Sequence, residues 1–215
     1  MNINYFESKY WDTAAEKGLD KEAVRQVIDT ATNEAASHLP ALSPYLNISV
    51  IPDADETIPE TGEGGYTWSD ERVAIYFDPD VPYGTESLKN HLRSTVFHEL
   101  NHAARAIHIP YTRQPIEALV AEGLATNFER LYTKSNPLWG QYEDDKTMQT
   151  WLKEVLALEE GVRHTDYLYD HPDGRKWIIY KTGTWLVDRV LKESNHSIQD
   201  LTIMPAQSLV NLIND

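Results

Sequence analysis

The feature that most constrains this chain is the pattern His98-Glu99-Leu100-Asn101-His102, known as HExxH, in a segment that reads as a helix. Residues four apart on an α-helix differ by about 40° in azimuth and about 6 Å along the axis, so both imidazoles can share one ion. Glu99 is turned away by one residue step, which leaves its carboxylate for a water molecule beside the metal. The pattern therefore predicts half of a zinc site, with Glu99 as the general base for attack on a carbonyl.

The neighbours of this pattern predict that the helix is buried. They are uncharged and include Thr95, Val96, Phe97, Ala103 and Ala104. Two histidines and a glutamate buried together would be costly without a partner, and a metal ion is such a partner. The chain has no cysteine, so the metal must be held by His, Asp or Glu.

Composition limits the kinds of binding partner and the cellular compartment that we expect for this chain. The chain has 34 acidic and 19 basic residues and a formal net charge of -15, so it should repel phosphate backbones and anionic lipid. We expect neither a nucleic-acid nor a membrane partner, and no run approaches the roughly 18 apolar residues of a spanning helix. The absence of cysteine and of a visible export signal favours a cytoplasmic protein, although a processed secreted protein would have the same composition.

Periodicity and turn residues predict an α+β fold. Apolar residues at helical spacing predict four helices, from Asp20 to Leu39, Glu86 to Ile107, Pro115 to Tyr132 and Lys176 to Lys192. The runs Leu46 to Ile51 and Val73 to Phe77 predict strands. Between them, the glycine-rich run Thr61 to Gly65 has the backbone freedom of a mobile loop, and no phosphate-binding pattern can be written over it.

The length of 215 residues is typical of a single domain. We expect one domain over residues 1–215, with a helix and a small antiparallel or mixed sheet in 1–85. The two metal-site helices fall in 86–132, and 133–215 should be mostly helical.

The third metal ligand has several candidates. His108 has the spacing of the metzincin pattern HExxHxxGxxH, but Arg105 replaces the required glycine. Without that glycine the helix should continue, which would turn His108 about 120° away from His102. A histidine at a helix C-terminus is also explained by the helix dipole.

Glu122 is the stronger candidate because its small neighbours Ala121 and Gly123 would let a second helix approach closely. Glu117 and Glu129 lie on the same predicted helix and are alternatives. Glu117, however, begins the helix, where the macrodipole alone accounts for a carboxylate.

The HExxH pattern, followed after 19 residues by Glu122-Gly123-Leu124-Ala125, resembles the HExxH and EGxA arrangement of gluzincin peptidases. The chain looks most like a family of predicted zinc-dependent proteases catalogued as a domain of unknown function. It is more distantly similar to aminopeptidase N-like and thermolysin-like peptidases. The resemblance implies a gluzincin-like domain that holds Zn²⁺ with His98, His102 and Glu122 and acts on a peptide or protein substrate.

The resemblance extends to an oxyanion donor and a substrate strand. Tyr180 is placed like the catalytic tyrosine of aminopeptidase N-like enzymes, although it can equally be a core tyrosine, and His164 and His171 in a polar loop from Arg163 to Arg175 are alternatives. The run Val73 to Phe77 resembles the edge strand that gluzincins use to hold extended substrate. The GxMEN motif is absent, and Thr126 replaces the thermolysin-like aspartate, so strict aminopeptidase activity and the partner of a ligand histidine stay open.

Three functions therefore remain after the sequence is read. The leading one is a zinc-dependent peptidase with Glu99 as general base, and the second is the same chemistry with His108 as third ligand. The third is a non-catalytic module in which zinc joins two helices. An exchangeable site that binds hydroxamates would distinguish the peptidases from the module. The cleavage specificity, the endo- or exopeptidase mode and the oligomeric state are not determined by the sequence.

Overall fold

Capping residues and hydrophobic periodicity set the limits of the helices in the computed structural model of the protein, which describes residues 1–40, 42–110, 112, 114–158 and 164–213. The strands are β1 (Asn2–Tyr5), β2 (Asn47–Pro52), β3 (Glu63–Ser69) and β4 (Arg72–Phe77). The α-helices are α1 (Tyr10–Glu16), α2 (Lys21–His38), α3 (Thr85–His108), α4 (Pro115–Thr133), α5 (Asp145–Leu156), α6 (His164–Leu168), α7 (Ile178–Glu193), α8 (Ile198–Thr202) and α9 (Ala206–Asn211). Two 3₁₀ turns, Ala54–Glu56 and Leu138–Gly140, complete the regular structure of this part of the chain.

The four predicted helices are α2, α3, α4 and α7, and each end lies within two residues of its prediction. The side chain of Asp20 caps α2 by accepting from the Ala23 amide at 2.8 Å. Leu39 ends α2 in an extended conformation because it precedes Pro40. Pro115 occupies the first turn of α4, where its missing N–H is not needed.

The described residues form two compact units, Met1–Ile107 and His108–Asp215. The predicted α+β class is confirmed by a small mixed sheet in the first unit and a helical C-terminal half. The single-domain interpretation stays a prediction. No helix in the described part of the chain is long and apolar enough to cross a membrane.

The sheet of the first unit has the strand order β1-β2-β4-β3. β1 and β4 both run parallel to β2, whereas β3 runs antiparallel to β4. The predicted strand at Val73 to Phe77 is therefore β4, an internal strand, and its interpretation as the edge strand is wrong. Its nearly continuous buried apolar residues are those of a strand with neighbours on both sides.

The edge position next to β4 belongs to β3, in a segment whose first residues were expected to be a loop. That expectation is wrong from Glu63 onwards, since Gly64 and Gly65 both pair with β4. A bulge interrupts the pairing between Thr67 and Ser69. Glycine has low strand propensity, so the two glycines obscured a strand that Tyr66-Thr67-Trp68 would otherwise indicate.

Side chains of helix α3 contact β3 and the turn before it. The ring Nδ1 of His91 lies 3.0 Å from the Thr61 carbonyl oxygen. One turn further along α3, the Thr95 hydroxyl donates a short hydrogen bond to the buried carboxylate of Glu63. These contacts place the turns of α3 that follow, which carry the HExxH residues, beside Gly65 and Thr67.

The second unit is organised around the crossing of α4 and α7. The apolar side chains of the two helices that are fully or almost fully buried include Leu119, Leu124, Phe128, Ile179, Leu186 and Val190. Arg130 on α4 forms an ion pair with Asp188 on α7 at 2.8 Å at the rim of this core. The polar segment expected as a loop around His164 and His171 contains the short helix α6, and Arg163 lies outside the described residues.

Candidate metal centre

The two histidines of the HExxH pattern lie on one side of α3, as their spacing predicts. Their ring centroids are 4.9 Å apart and the ring planes make an angle of 71°. His98 and His102 are only 7% and 6% exposed, so both are removed from bulk water. Buried imidazoles held side by side are a common arrangement in protein sites for divalent zinc.

Among the described residues, one group of three side chains is suited to holding a metal ion, and it consists of His98, His102 and Glu122. Each offers one ligand atom, and these atoms all lie within 4.8 Å of one another. His108 is outside the group because it is the last residue of α3 and exposed. Glu117, in the first turn of α4, is outside it as well.

The donor set fits zinc. Two imidazoles and a carboxylate are the ligand types of catalytic zinc in several peptidases. Ligand atoms about 2 Å from a tetrahedral ion lie about 3.3 Å from one another, and the three ligand atoms here all lie within 4.8 Å of one another. A set with three protein ligands leaves a coordination position for water or substrate, whereas a structural zinc site generally has four protein ligands.

The backbone beside Glu122 is shaped by a close contact between α4 and α7. A Cβ atom on Gly123 would lie 2.3 Å from the carbonyl carbon of Gly183. Asn127, one turn further, donates from Nδ2 to the carbonyl oxygens of Gly123 and Thr184, at 3.0 and 3.1 Å. These hydrogen bonds tie the turn that carries Glu122 to α7, so the carboxylate projects from a rigid element.

Two other residues of α4 considered in the sequence have different surroundings. The Glu129 carboxylate is buried and accepts a hydrogen bond from the Ser135 hydroxyl at 2.8 Å. Thr126 is fully buried, and its hydroxyl has no hydrogen-bond partner in the part of the chain that the structure describes. Thr126 is therefore not seen orienting a ligand histidine.

Glu99 is held against β3 by two residues that sequence reasoning missed. The Thr67 hydroxyl lies 2.7 Å from Oε2 of Glu99 and 3.1 Å from its backbone oxygen. A Cβ atom on Gly65 would lie 2.5 Å from Cγ of Glu99 and 2.6 Å from Oε1. The alternation of Tyr66, Thr67 and Trp68 was the signal for this strand, but no local pattern indicates which strand faces a given helix.

The pairing of β3 with β4 determines which of its peptide groups face outwards. The Gly62 carbonyl accepts from the Asp78 amide at 2.8 Å, so Gly62 and Asp78 are a hydrogen-bonded pair. Such pairs alternate along an antiparallel ladder, so Gly64 and Tyr66 also bond to β4, whereas the peptide groups of Gly65 and Thr67 point away from it. On that outer side, the pairing seen among the described residues is an isolated antiparallel bridge between Ile58 and Glu63, and no further strand of the sheet follows β3.

The three candidate oxyanion donors lie in the second unit. Tyr180 is in the first turn of α7, three residues before Gly183, and its ring centroid is 6.4 Å from that of Trp139. His171 is 2.8 Å from the Asp173 carboxylate, and its ring contacts Tyr167 with centroids 4.7 Å apart. His164 begins α6, and its side chain is outside the described structure. None of the three is in the metal-ligand group, so the oxyanion role stays a prediction.

Comparison with known proteins adds a family to this geometry. Residues 24–211 match the family described as "Predicted Zn-dependent protease (DUF2268)". The match covers most of the chain and includes most of α2, all of α3 to α9 and every residue of the candidate site. No curated protein and no solved structure matches the chain.

Proposed function

Because the chain belongs to this family of predicted Zn-dependent proteases, we propose that it is a zinc-dependent peptidase in which His98, His102 and Glu122 hold the metal and Glu99 is the general base. The observation that carries the proposal is the group of three ligand atoms within 4.8 Å, with Glu99 in the same helical turn as the two histidines. The predicted substrate is a peptide or protein.

When bound by these ligands, zinc lowers the pKa of a water molecule and polarises a substrate carbonyl. The imidazoles of His98 and His102 and the carboxylate of Glu122 bind the ion. Because the two histidines are buried, competing water is largely excluded from that side of the group. Exclusion of water strengthens the electrostatic interactions in the site.

Glu99 moves the proton. Its carboxylate accepts a proton from the attacking water and returns it to the leaving amine nitrogen, so one residue acts first as base and then as acid. Glu99 is 6% exposed and is hydrogen-bonded by Thr67, so its carboxylate is held in place before substrate arrives.

An extended peptide would bind along β3. The outward peptide groups of Gly65 and Thr67 can exchange hydrogen bonds with a substrate strand, in the manner of strand addition to a sheet edge. The Thr67 hydroxyl and the Cα of Gly65, on the face of the strand, contact Glu99. A substrate paired with these two residues would therefore have its backbone beside the general base.

The proposal is tested by digestion of a peptide library with the purified, metal-analysed protein, with and without a chelator. We expect cleavage that the chelator abolishes and that added zinc restores. Glu99→Gln should keep the metal and lower turnover about a hundredfold or more. Glu117→Gln is the matched control and should cleave like wild type. Unaltered hydrolysis by the Glu99→Gln protein would exclude Glu99 as the base.

Measured zinc content identifies the third ligand. Glu122→Ala should bind zinc at least tenfold more weakly, because it removes one of three protein ligands. His108→Ala and Glu117→Ala should bind it like wild type. Loss of zinc in the His108→Ala protein, with retention in Glu122→Ala, would instead support the metzincin arrangement.

The non-catalytic alternative is tested by access to the metal. A peptidase with three protein ligands should bind a hydroxamate at zinc, whereas a closed structural site should not. The described residues supply three ligands and not four, which favours the peptidase.

A further inference from the structure

The face of β3 that packs against α3 carries the residues that contact the HExxH turn. Glu63 and Thr67 on this face are buried, whereas Tyr66 and Trp68 on the opposite face are 55% and 43% exposed. Gly65 lies between these two buried residues in the sequence and is on the same face of the strand. Thr67 and Gly65 both reach Glu99, so two successive positions of one strand face contact a single carboxylate.

The Thr67 hydroxyl fixes one oxygen of that carboxylate. Its single proton is shared between Oε2 at 2.7 Å and the backbone oxygen of Glu99 at 3.1 Å. The shorter contact has the length of a charge-assisted hydrogen bond, which is stronger than a bond between neutral groups. Thr67 thus ties both the side chain and the backbone of Glu99 to β3.

Gly65 provides the space in which the Glu99 side chain lies. A Cβ atom at this position would come within 2.5 to 2.8 Å of Cγ, Oε1 and Cδ of Glu99. Any larger residue must therefore displace the Glu99 side chain or the strand. The backbone of Gly65 is ordinary for a strand, so the need for glycine comes from this contact and not from its φ angle.

We infer that Thr67 and Gly65 are positioning residues that hold the Glu99 carboxylate in its catalytic orientation. This inference rests on the proposed function, because it gives Glu99 the role of general base. Their peptide groups are the ones proposed above to pair with substrate, whereas the Thr67 hydroxyl and the missing side chain of Gly65 act through Glu99 and exchange no proton with substrate. Their loss should lower kcat while leaving zinc binding almost unchanged, since neither belongs to the group of metal ligands.

The decisive comparison uses Thr67→Val and Thr67→Ser. Valine keeps the shape and strand propensity of threonine without the hydroxyl, and serine keeps the hydroxyl without the methyl group. With the peptide that wild type cleaves fastest, we expect Thr67→Val to lower kcat about ten- to a hundredfold with KM within about twofold. Thr67→Ser should recover kcat to within about threefold of wild type.

Two controls separate positioning from a loss of structure. Thr32→Val makes the same exchange at a buried threonine of α2 whose hydroxyl has no partner among the described residues, and it should leave kcat unchanged. Bound zinc should be the same in all of these proteins. Gly65→Ala should lower kcat at least as much as Thr67→Val. If Gly65→Ala does not fold, the comparison of Thr67→Val with Thr67→Ser still tests the inference.

A readout independent of activity comes from thermal unfolding of the metal-free protein. Thr67→Val should lower Tm, and it should lower it less in a Glu99→Leu background, because the carboxylate acceptor is already gone. Additive changes in Tm would overturn the inferred contact.

The remaining outcomes are distinct. An active wild type with an equally active Thr67→Val protein would overturn this inference alone. A wild type that binds zinc but cleaves no peptide would remove the proposed function and, with it, the role of Thr67. Loss of kcat in Thr67→Val without recovery in Thr67→Ser would also count against positioning through the hydroxyl.

Discussion

Gly123 in α4 and Gly183 in α7 pack backbone against backbone, and a Cβ atom on Gly183 would lie 2.0 Å from the carbonyl oxygen of Leu119. No side chain fits at this crossing, so the two glycines determine how closely the helices approach. Because Glu122 precedes Gly123, the crossing also determines the position of the backbone that carries this proposed ligand.

Gly183→Ala should therefore destabilise the protein by about 3 kcal/mol or more, since backbone atoms cannot move aside as a flexible side chain can. The measurement is urea unfolding of the metal-free protein. Gly84→Ala is the control, because its φ of 86° is strained for alanine but nothing lies within 4 Å of the new Cβ. Gly84→Ala should lower the free energy of unfolding by about 1 kcal/mol. Equal stabilities of the two variants would contradict the interpretation of the crossing.

Tyr180→Phe tests the oxyanion donor. If the Tyr180 hydroxyl stabilises the developing charge, its removal should lower kcat about a hundred- to a thousandfold with zinc content unchanged. His171→Ala and His164→Ala should retain most of the activity. A Tyr180→Phe protein with wild-type kcat would leave Tyr180 a packing residue beside Trp139 and would direct attention to the histidine whose variant is slow.

Arg175 joins α5 to the segment before α7. Its guanidinium donates two hydrogen bonds to the Glu154 carboxylate at 2.7 and 2.8 Å and one to Asp173. Arg175→Lys should lower the free energy of unfolding by about 1 kcal/mol at pH 7, because lysine cannot make the paired contact and the partly exposed groups are screened by solvent. Arg189→Lys, which alters an exposed pair with Glu193 on α7, is the control and should change it by less.

The effect of Arg175→Lys should depend on pH. The hydrogen bonds from Arg175 hold the pKa of Glu154 below its ordinary value. The stability that this pair contributes is therefore complete above the pKa of Glu154 in the unfolded chain and is lost as pH falls through the lower folded pKa. Urea unfolding from neutral to acidic pH should show the two proteins converging. A difference that persists at acidic pH would mean that Arg175 acts through Asp173 or through the ring of Trp151, whose centroid lies 5.4 Å from the guanidinium carbon.

Tyr142 should ionise at a higher pH than an ordinary tyrosine. Burial, together with the charge of Asp188 and a 2.9 Å hydrogen bond to it, raises the pKa of Tyr142 to about 12 from an ordinary value of 10.0. Since the folded pKa is the higher one, its contribution to stability is present below pH 10.0 and is lost as pH rises towards about 12. The difference in ultraviolet titration between wild type and Tyr142→Phe should show one phenol ionising near pH 12. Ionisation near pH 10.0 would mean that the Asp188 contact is absent in solution.

The helices show how far local patterns reach. The limits of α2 and α4 followed from Asp20, Pro40 and Pro115, because caps and prolines act on the backbone within one turn. The spacing of His98 and His102 was equally local, since four residues return the chain to the same side of a helix. The strand from Val73 to Phe77 was expected at the sheet edge and is internal, because strand order depends on partners that a single strand does not reveal.

Sequence by itself determined that α3 presents two imidazoles on one side, and the small residues around Glu122 indicated a second close helix. Tertiary structure decided that β3 lies at the sheet edge and that Thr67 meets Glu99 across a separation of 32 residues. It also decided that Gly65 leaves space for a glutamate side chain. The physical reason is that periodicity and capping act over a few residues of one segment, whereas these contacts depend on which segments meet and in what register.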